Sequence, residues 1–253
     1  MTKSKIALVT GGSRGLGRNM AISLAKKGIN VILTCNSNKN EADQVVAEIT
    51  ALGQKAAAYQ LNVSDPKSFD GFISEVTAHL QEKEGNPNFD FLINNAGFIH
   101  YATLDVATEQ QFDELLMVHF KGPFMLTQKV LPFLNENGGI VNISTGLTRF
   151  ANPGYGTYAA MKGAMEKYTL YLAKELGNRK IRANIVAPGA IETDIQGGAV
   201  RDNAELNQML ASHTALGRVG LPDDIGGVVA FLCTDDARWV NAQRIEASGG
   251  MNL

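Results

Sequence analysis

The chain has 253 residues, 45% hydrophobic and 19% charged, which is enough apolar material for one sizeable core and unlike the composition of a disordered or fibrous protein. Lys and Arg number 23 against 25 Asp and Glu; the net charge of −2 exerts no long-range pull on nucleic acid or an anionic membrane, so a small uncharged or phosphate-bearing ligand fits better. The opening Met1-Thr2-Lys3-Ser4-Lys5 runs straight into the apolar Ile6–Val9, too short for a secretory core, and no apolar run reaches membrane-spanning length, so a cytoplasmic protein is expected.

In chain order, β-branched and apolar runs predict seven strands, at 6–10, 31–34, 56–61, 91–94, 140–144, 182–187 and 244–247. Apolar spacings of three and four predict helices between them, at 15–27, 40–52, 65–82, 109–135, 156–176 and 222–234. Strand and helix alternate, and parallel neighbours need a crossover, usually helical. The expected fold is therefore α/β, a doubly wound Rossmann-type arrangement whose seven-stranded parallel sheet carries helices on both faces, in one domain over 1–253. Residues 190–217 stand apart: they follow Pro188-Gly189, contain Gly197-Gly198 and lack strong periodicity. They read as a substrate lid, with an irregular surface excursion as the alternative.

Cys35 and Cys233 have no Cys-x-x-Cys spacing, and the four histidines lack ligand spacing, so neither a disulfide nor a metal site is expected. Glycosylation-type triplets at Asn62 and Asn142 fall in or beside predicted buried strands and are set aside.

The segment Thr10-Gly11-Gly12-Ser13-Arg14-Gly15-Leu16-Gly17 joins the first strand to the first helix, where a pyrophosphate belongs in such a sheet. Glycines at 11, 15 and 17 permit a tight turn and close approach of backbone N–H groups to phosphate. A glycine pattern alone is weak, since loops collect glycine for turn geometry. Tyr158 and Lys162, four residues apart on one helix, share a face and can reach one ligand. A phenol with an ordinary pKa of about 10 is a poor base at neutral pH, but a neighbouring ammonium favours its ionised form, which makes Lys162 an electrostatic tuner of Tyr158.

With that glycine turn at the start, Asn94-Asn95-Ala96-Gly97 after the fourth strand, Tyr158-x-x-x-Lys162, and Pro188-Gly189 after the sixth, the chain resembles the short-chain dehydrogenase/reductase family over essentially its whole length. It is most similar to 3-oxoacyl-carrier-protein reductase-like members. The resemblance implies an oxidoreductase that moves hydride between NADP(H) and a carbonyl or secondary alcohol, a 3-oxoacyl substrate being left open. Tyr158 would carry the proton, and Lys162 would also hold the nicotinamide ribose. Cofactor contacts are carried over to Gly11, Ser13, Arg14, Gly15, Leu16, Gly17, Asn36, Ser37, Asn62, Val63, Asn95, Ala96, Gly97, Tyr158, Lys162, Pro188, Gly189, Ile191 and Thr193.

Two positions depart from the pattern. Thr145, with Ser144 as the alternative in an adjacent register, stands where the family has a substrate-polarising serine. His119 stands where it has an asparagine thought to anchor a water by interrupting helix hydrogen bonding; the imidazole would titrate near neutrality and join that relay, or only fill space. These departures motivate the rival reading of a cofactor-binding regulatory or scaffold protein with weakened catalysis. Cys35 replaces the acidic residue of NAD-preferring members, and Arg14, Asn36, Ser37 and Lys39 offer donors to a 2′-phosphate, so NADP(H) is preferred over NAD(H). Pocket candidates are Gly146, Leu147, Arg149, Ala151, Tyr155, Gly189 and Ile191. Docking of a carrier protein would need basic surface residues, of which Arg179 is the one in place. Small residues on the tyrosine helix and the tail Gly249–Leu253 match a homotetramer.

Overall fold

Five strands are buried along nearly their whole length and therefore need cover on both faces. The computed structural model, which describes residues 4–253, supplies it; Met1, Thr2 and Lys3, part of the N-terminal reading, lie outside the described residues. Strands β1 (Ile6–Val9), β2 (Asn30–Cys35), β3 (Ala56–Gln60), β4 (Phe89–Asn94), β5 (Leu134–Ile143), β6 (Arg182–Pro188) and β7 (Arg244–Ala247) form one sheet in the order β3-β2-β1-β4-β5-β6-β7. Every pairing is parallel. The two half-buried strands, β3 and β7, take the edges, where one flank has no neighbouring strand.

The helices are α1 (Gly15–Lys26), α2 (Lys39–Ala51), α3 (Phe69–Glu84), α4 (Glu109–Leu116), α5 (Gly122–Val130), α6 (Gly156–Glu175), α7 (Ala199–Asp202), α8 (Ala204–Ser212) and α9 (Pro222–Leu232). Met20 and Leu24 of α1, Val45 and Ile49 of α2 and Val229 of α9 seal one face of the sheet. Phe69 and Phe72 of α3, Leu126 of α5 and Leu172 of α6 seal the other. Each such fully buried side chain contributes about 1.5–3 kcal/mol. No helix among the described residues is long and apolar enough to cross a membrane.

Several expected boundaries are corrected. The helix expected over 109–135 is broken, because Pro123 has no N–H to give to the carbonyl four residues back, that of His119. The chain widens into a turn over Met117–Lys121, closed by Gly122 N–H on the Met117 carbonyl five residues earlier. After a last short turn, Leu131–Phe133, Leu134 already starts β5, which is thus longer than predicted and shifts register against β4 between Phe89 and Phe91. The weakly periodic segment 190–217 holds a short turn, Ile195–Gly198, then α7 and α8; α8 buries no residue fully, which is why it left no readable period. The first turn expected at 65–68 is a tight one, Pro66–Ser68, ahead of α3.

Candidate active site

The strand order reverses between β1 and β4, and the carboxyl ends there open the crevice in which ligands of such sheets sit. The glycine turn lies on this crevice. Gly11 and Gly15 have φ of 64° and 55°, and a Cβ on Gly17 would overlap the Gly11 carbonyl oxygen and approach Asn95 Nδ2 to 2.5 Å. Asn95 Nδ2 donates to the carbonyls of Thr10 (2.9 Å) and Gly11 (3.1 Å), while Thr10 Oγ1 accepts from the N–H groups of Asn95 and Ala96. The Asn95 side chain is thus a clamp on the turn. Arg14 precedes α1 with extended backbone and no side-chain cap, which leaves the first helical N–H groups free for an anion. The rim of Gly15 faces Thr193, whose Cβ would lie 3.8 Å from a Cβ at that glycine, so the root of the segment after β6 meets the turn.

Around the crevice the remaining sequence-predicted residues separate. Asn36 and Ser37 are exposed at the end of β2, and Arg14 is exposed with no ion-pair partner among the described residues. Lys39 pairs with Asp43 at 2.7 Å on the exposed start of α2. Cys35 is buried in the core, its thiol pushed up by burial. Asn62 is exposed, but its Oδ1 accepts from Ser64 N–H (3.0 Å) and Oγ (2.7 Å), which leaves it the amide hydrogens to offer; it lies beside a strand as expected, just past β3, although that edge strand is only half-buried. Val63 is buried beneath it. Pro188 ends β6, Gly189 packs on Ser248, and Ile191 bridges to Gly220. Ser13 and Leu16 sit within the turn, Leu16 packed on the core.

The chemical end is made of buried side chains. Tyr158 and Lys162 on α6 are 7% and 5% exposed. Lys162 Nζ donates to the Ile143 carbonyl at the end of β5 (2.7 Å) and lies 5.7 Å from the Tyr158 ring centre. Burial pulls the Lys162 ammonium down to about 7 and holds the Tyr158 phenol well above its ordinary value, with a hydrogen bond from Thr145 acting weakly the other way. Burial is the dominant influence on the phenol, ahead of its neighbours. Tyr158 is held as an acid.

His119 is brought against this pair, its ring edge-to-face with Tyr158 at 5.0 Å. Nε2 lies 2.6 Å from the Phe98 carbonyl, which can only accept, so Nε2 carries the hydrogen. Nδ1 is then an acceptor, sealed from solvent and without a partner among the described residues. Burial first, and Lys162 second, lower the imidazole well below its ordinary value, which corrects the expectation that it titrates near neutrality. The ring also presses on Gly97, where a Cβ would sit 2.5 Å from His119 Cε1. The interruption of helix hydrogen bonding associated with an asparagine is present here around a histidine.

Thr145 and Ser144 face opposite ways. Thr145 contacts Tyr158 and accepts from Leu147 N–H (3.3 Å), while Ser144 Oγ donates to Glu166 at 2.6 Å. Sequence reasoning missed the network behind them: Arg244 donates to Glu166 (2.8 Å), Thr148 (3.0 Å) and the Thr145 carbonyl (3.2 Å). A cation on a strand end that faces a helix carboxylate four residues past Lys162 was the signal available. Arg149, expected in the pocket, is drawn away to Glu246, whose carboxyl it holds down at about 2. Arg179, half-buried, donates to the Leu131 and Leu134 carbonyls. The tail expected to meet another subunit packs on its own chain through Met251. An open groove of about 350 Å³ lies under the amino ends of β1–β3, at the far end of the sheet from Tyr158.

Comparison with known proteins agrees with this geometry. Residues 11–252 match a family profile described as enoyl-(acyl carrier protein) reductase. The chain is 37% identical over 255 residues, covering all of both chains, to the 3-oxoacyl-[acyl-carrier-protein] reductase FabG of Staphylococcus aureus. Among solved structures it superposes on the angucycline C-6 ketoreductase LanV with bound NADP (TM-score 0.93, 35% identity, 98% of this chain and 96% of that one). It also superposes on the promiscuous reductase LugOII, which catalyses keto-reduction at C1 during lugdunomycin biosynthesis (TM-score 0.92, 38% identity, 97% and 96%). Sheet order, glycine turn and tyrosine helix thus coincide with a full-length match, and the chain belongs to the short-chain dehydrogenase/reductase family of oxidoreductases.

Proposed function

We propose that this enzyme reduces the carbonyl of a ketone or aldehyde at the expense of NADPH, with Tyr158 giving its hydroxyl proton to the carbonyl oxygen. One observation carries the reading: a buried phenol one helical turn from Lys162, whose Nζ lies 5.7 Å from its ring, with Thr145 beside it. Lys162, with its pKa near 7, is able to hand Nζ protons back to Tyr158 at neutral pH. Thr145 Oγ1 orients the substrate oxygen, and His119 acts by fixing the Phe98 carbonyl and the Tyr158 ring in place.

A nicotinamide dinucleotide, when bound, supplies the hydride. The uncapped N-terminus of α1 and the glycine turn suit its pyrophosphate, and Lys162 its nicotinamide ribose. The unpaired Arg14, with Asn36 and Ser37, favours NADP(H) over NAD(H), as does the absence of a carboxylate at the end of β2. The NADP held by LanV is in keeping with this. Substrates named for its relatives are 3-oxoacyl-carrier-protein and an angucycline ketone. Exposed Phe112, Phe124 and Tyr171, beside the small residues of α6, favour a homotetramer, read by light scattering; a cytoplasmic location goes with the same reading.

The test is nicotinamide absorbance over a panel of carbonyl compounds. Tyr158→Phe lowers kcat by about 10²- to 10⁴-fold and keeps NADPH affinity. A variant that turns over like the wild type would overturn the role of Tyr158, and NADPH binding with no turnover across the panel would return the rival reading of a scaffold.

A further inference from the structure

The mouth of the cleft above Tyr158 is walled by two more tyrosines. Tyr155 stands at the N-cap of α6, three residues before Tyr158, and its carbonyl accepts from Ala159 N–H (2.9 Å). Its ring meets Tyr101, from the loop between β4 and α4, edge-to-face at 5.3 Å. Tyr101 lies over Gly154, where a Cβ would come within 2.6 Å of Cζ and where a φ of 84° also excludes other residues. Ala102 N–H donates to the Gly154 carbonyl at 3.0 Å, which pins the loop. The Tyr155 hydroxyl donates to Gln196 Oε1 (3.4 Å), so the segment after β6 reaches the same pair. Tyr101 nonetheless remains 60% exposed. Ile99 and Leu147 pack against the cluster of Leu115, Tyr158 and Met161.

The arginines in the loops that follow β5 and β6 are held in ion pairs. Arg149 is paired with Glu246 (2.7 Å), Arg201 with Asp194 (2.5 Å) and Asp202 (2.7 Å), and Arg218 with Asp224 (2.7 Å). A substrate carried on a phosphate-bearing arm needs a guanidinium or ammonium to receive the phosphate, and it would compete with these carboxylates for one. Aromatic rings, by contrast, attract other rings through offset or edge-to-face contact.

We propose that Tyr101 and Tyr155 select an uncharged, planar ring ketone, offering it an edge and a face while its carbonyl reaches Tyr158, over a linear acyl chain on a phosphate-bearing carrier. This deepens the carbonyl-reductase reading and rests on it.

The experiment measures NADPH consumption with three probes: the bicyclic 2-tetralone, the linear ethyl acetoacetate, and acetoacetyl-coenzyme A. The wild type favours 2-tetralone in kcat/KM by about tenfold or more over either linear probe. Tyr101→Ala lowers the tetralone-to-acetoacetate ratio by about three- to tenfold, chiefly through KM, and Tyr101→Phe retains it. Tyr101 is exposed, so folding of both variants is checked simply by their melting curves matching wild type. A wild-type ratio at or below unity, or a ratio unmoved by Tyr101→Ala, overturns the proposal and leaves carbonyl reduction standing. Protein that binds NADPH but consumes it with none of the probes overturns both.

Discussion

At the α1 end of the cleft the groups offered to a ligand are backbone N–H donors held open by glycine, whereas at the α6 end they are side chains driven into the interior. The first arrangement asks little of burial: Arg14, Asn36 and Ser37 stand in solvent, and the turn is held by Asn95 and Thr10. The second places a phenol, an ammonium and an imidazole where water cannot reach, and desolvation displaces all three from their ordinary ionisation. A phosphate site can be stable by construction, while a proton-transfer site is strained by the same burial that tunes it.

The largest effect that sharpens this contrast is expected at Lys162. Lys162→Met lowers kcat by about 10²- to 10⁴-fold, yet raises stability by about 1–3 kcal/mol at pH 7, because a desolvated cation is replaced by an apolar chain. The sign follows from protonation. The folded pKa is depressed from 10.5 to about 7, so the folded protein binds fewer protons in that window and wild-type stability climbs as pH rises through it. The advantage of the methionine variant therefore shrinks between pH 7 and pH 10, measured by urea unfolding. A constant advantage, or none, breaks the contrast.

A smaller effect concerns the tightness of the side-chain wall. Gly97→Ala drives a methyl into His119 and lowers stability by about 1–3 kcal/mol, and His119→Asn in the same chain restores most of it. Melting curves of the two single variants and the double variant decide this; strictly additive losses would mean the two residues do not press on each other. The smallest effect belongs to the solvent-facing end. Arg14→Ala lowers the NADPH/NADH ratio of kcat/KM by about ten- to a hundredfold with no change in unfolding midpoint. An unchanged ratio removes the cofactor argument, and a lowered midpoint would show that the arginine supports the fold.

Legibility in the sequence divides along the same line. Gly11, Gly15 and Gly17 could be read because a backbone site dictates residue type at fixed spacing, and Tyr158 and Lys162 because helical periodicity alone puts them on one face. The seven strands were readable from their apolar runs. The broken helix at Met117–Lys121 was not, although Pro123 held the clue: apolar period continues across the break, and the missing N–H removes one bond without changing the pattern. The helices at Ala199–Asp202 and Ala204–Ser212 were missed because a helix that buries little carries little period.

What this chain's residues determine by themselves is the doubly wound order of elements, the phosphate turn and the pairing of a tyrosine with a lysine, since each follows from local stereochemistry. The three-dimensional packing alone decided the rest. It set the ionisation of His119, Lys162 and Tyr158, turned Ser144 toward Glu166 and Thr145 toward the phenol, and paired Arg149 with a carboxylate 97 residues away. Burial and ion pairing are properties of neighbours in space, and a linear pattern does not name those neighbours.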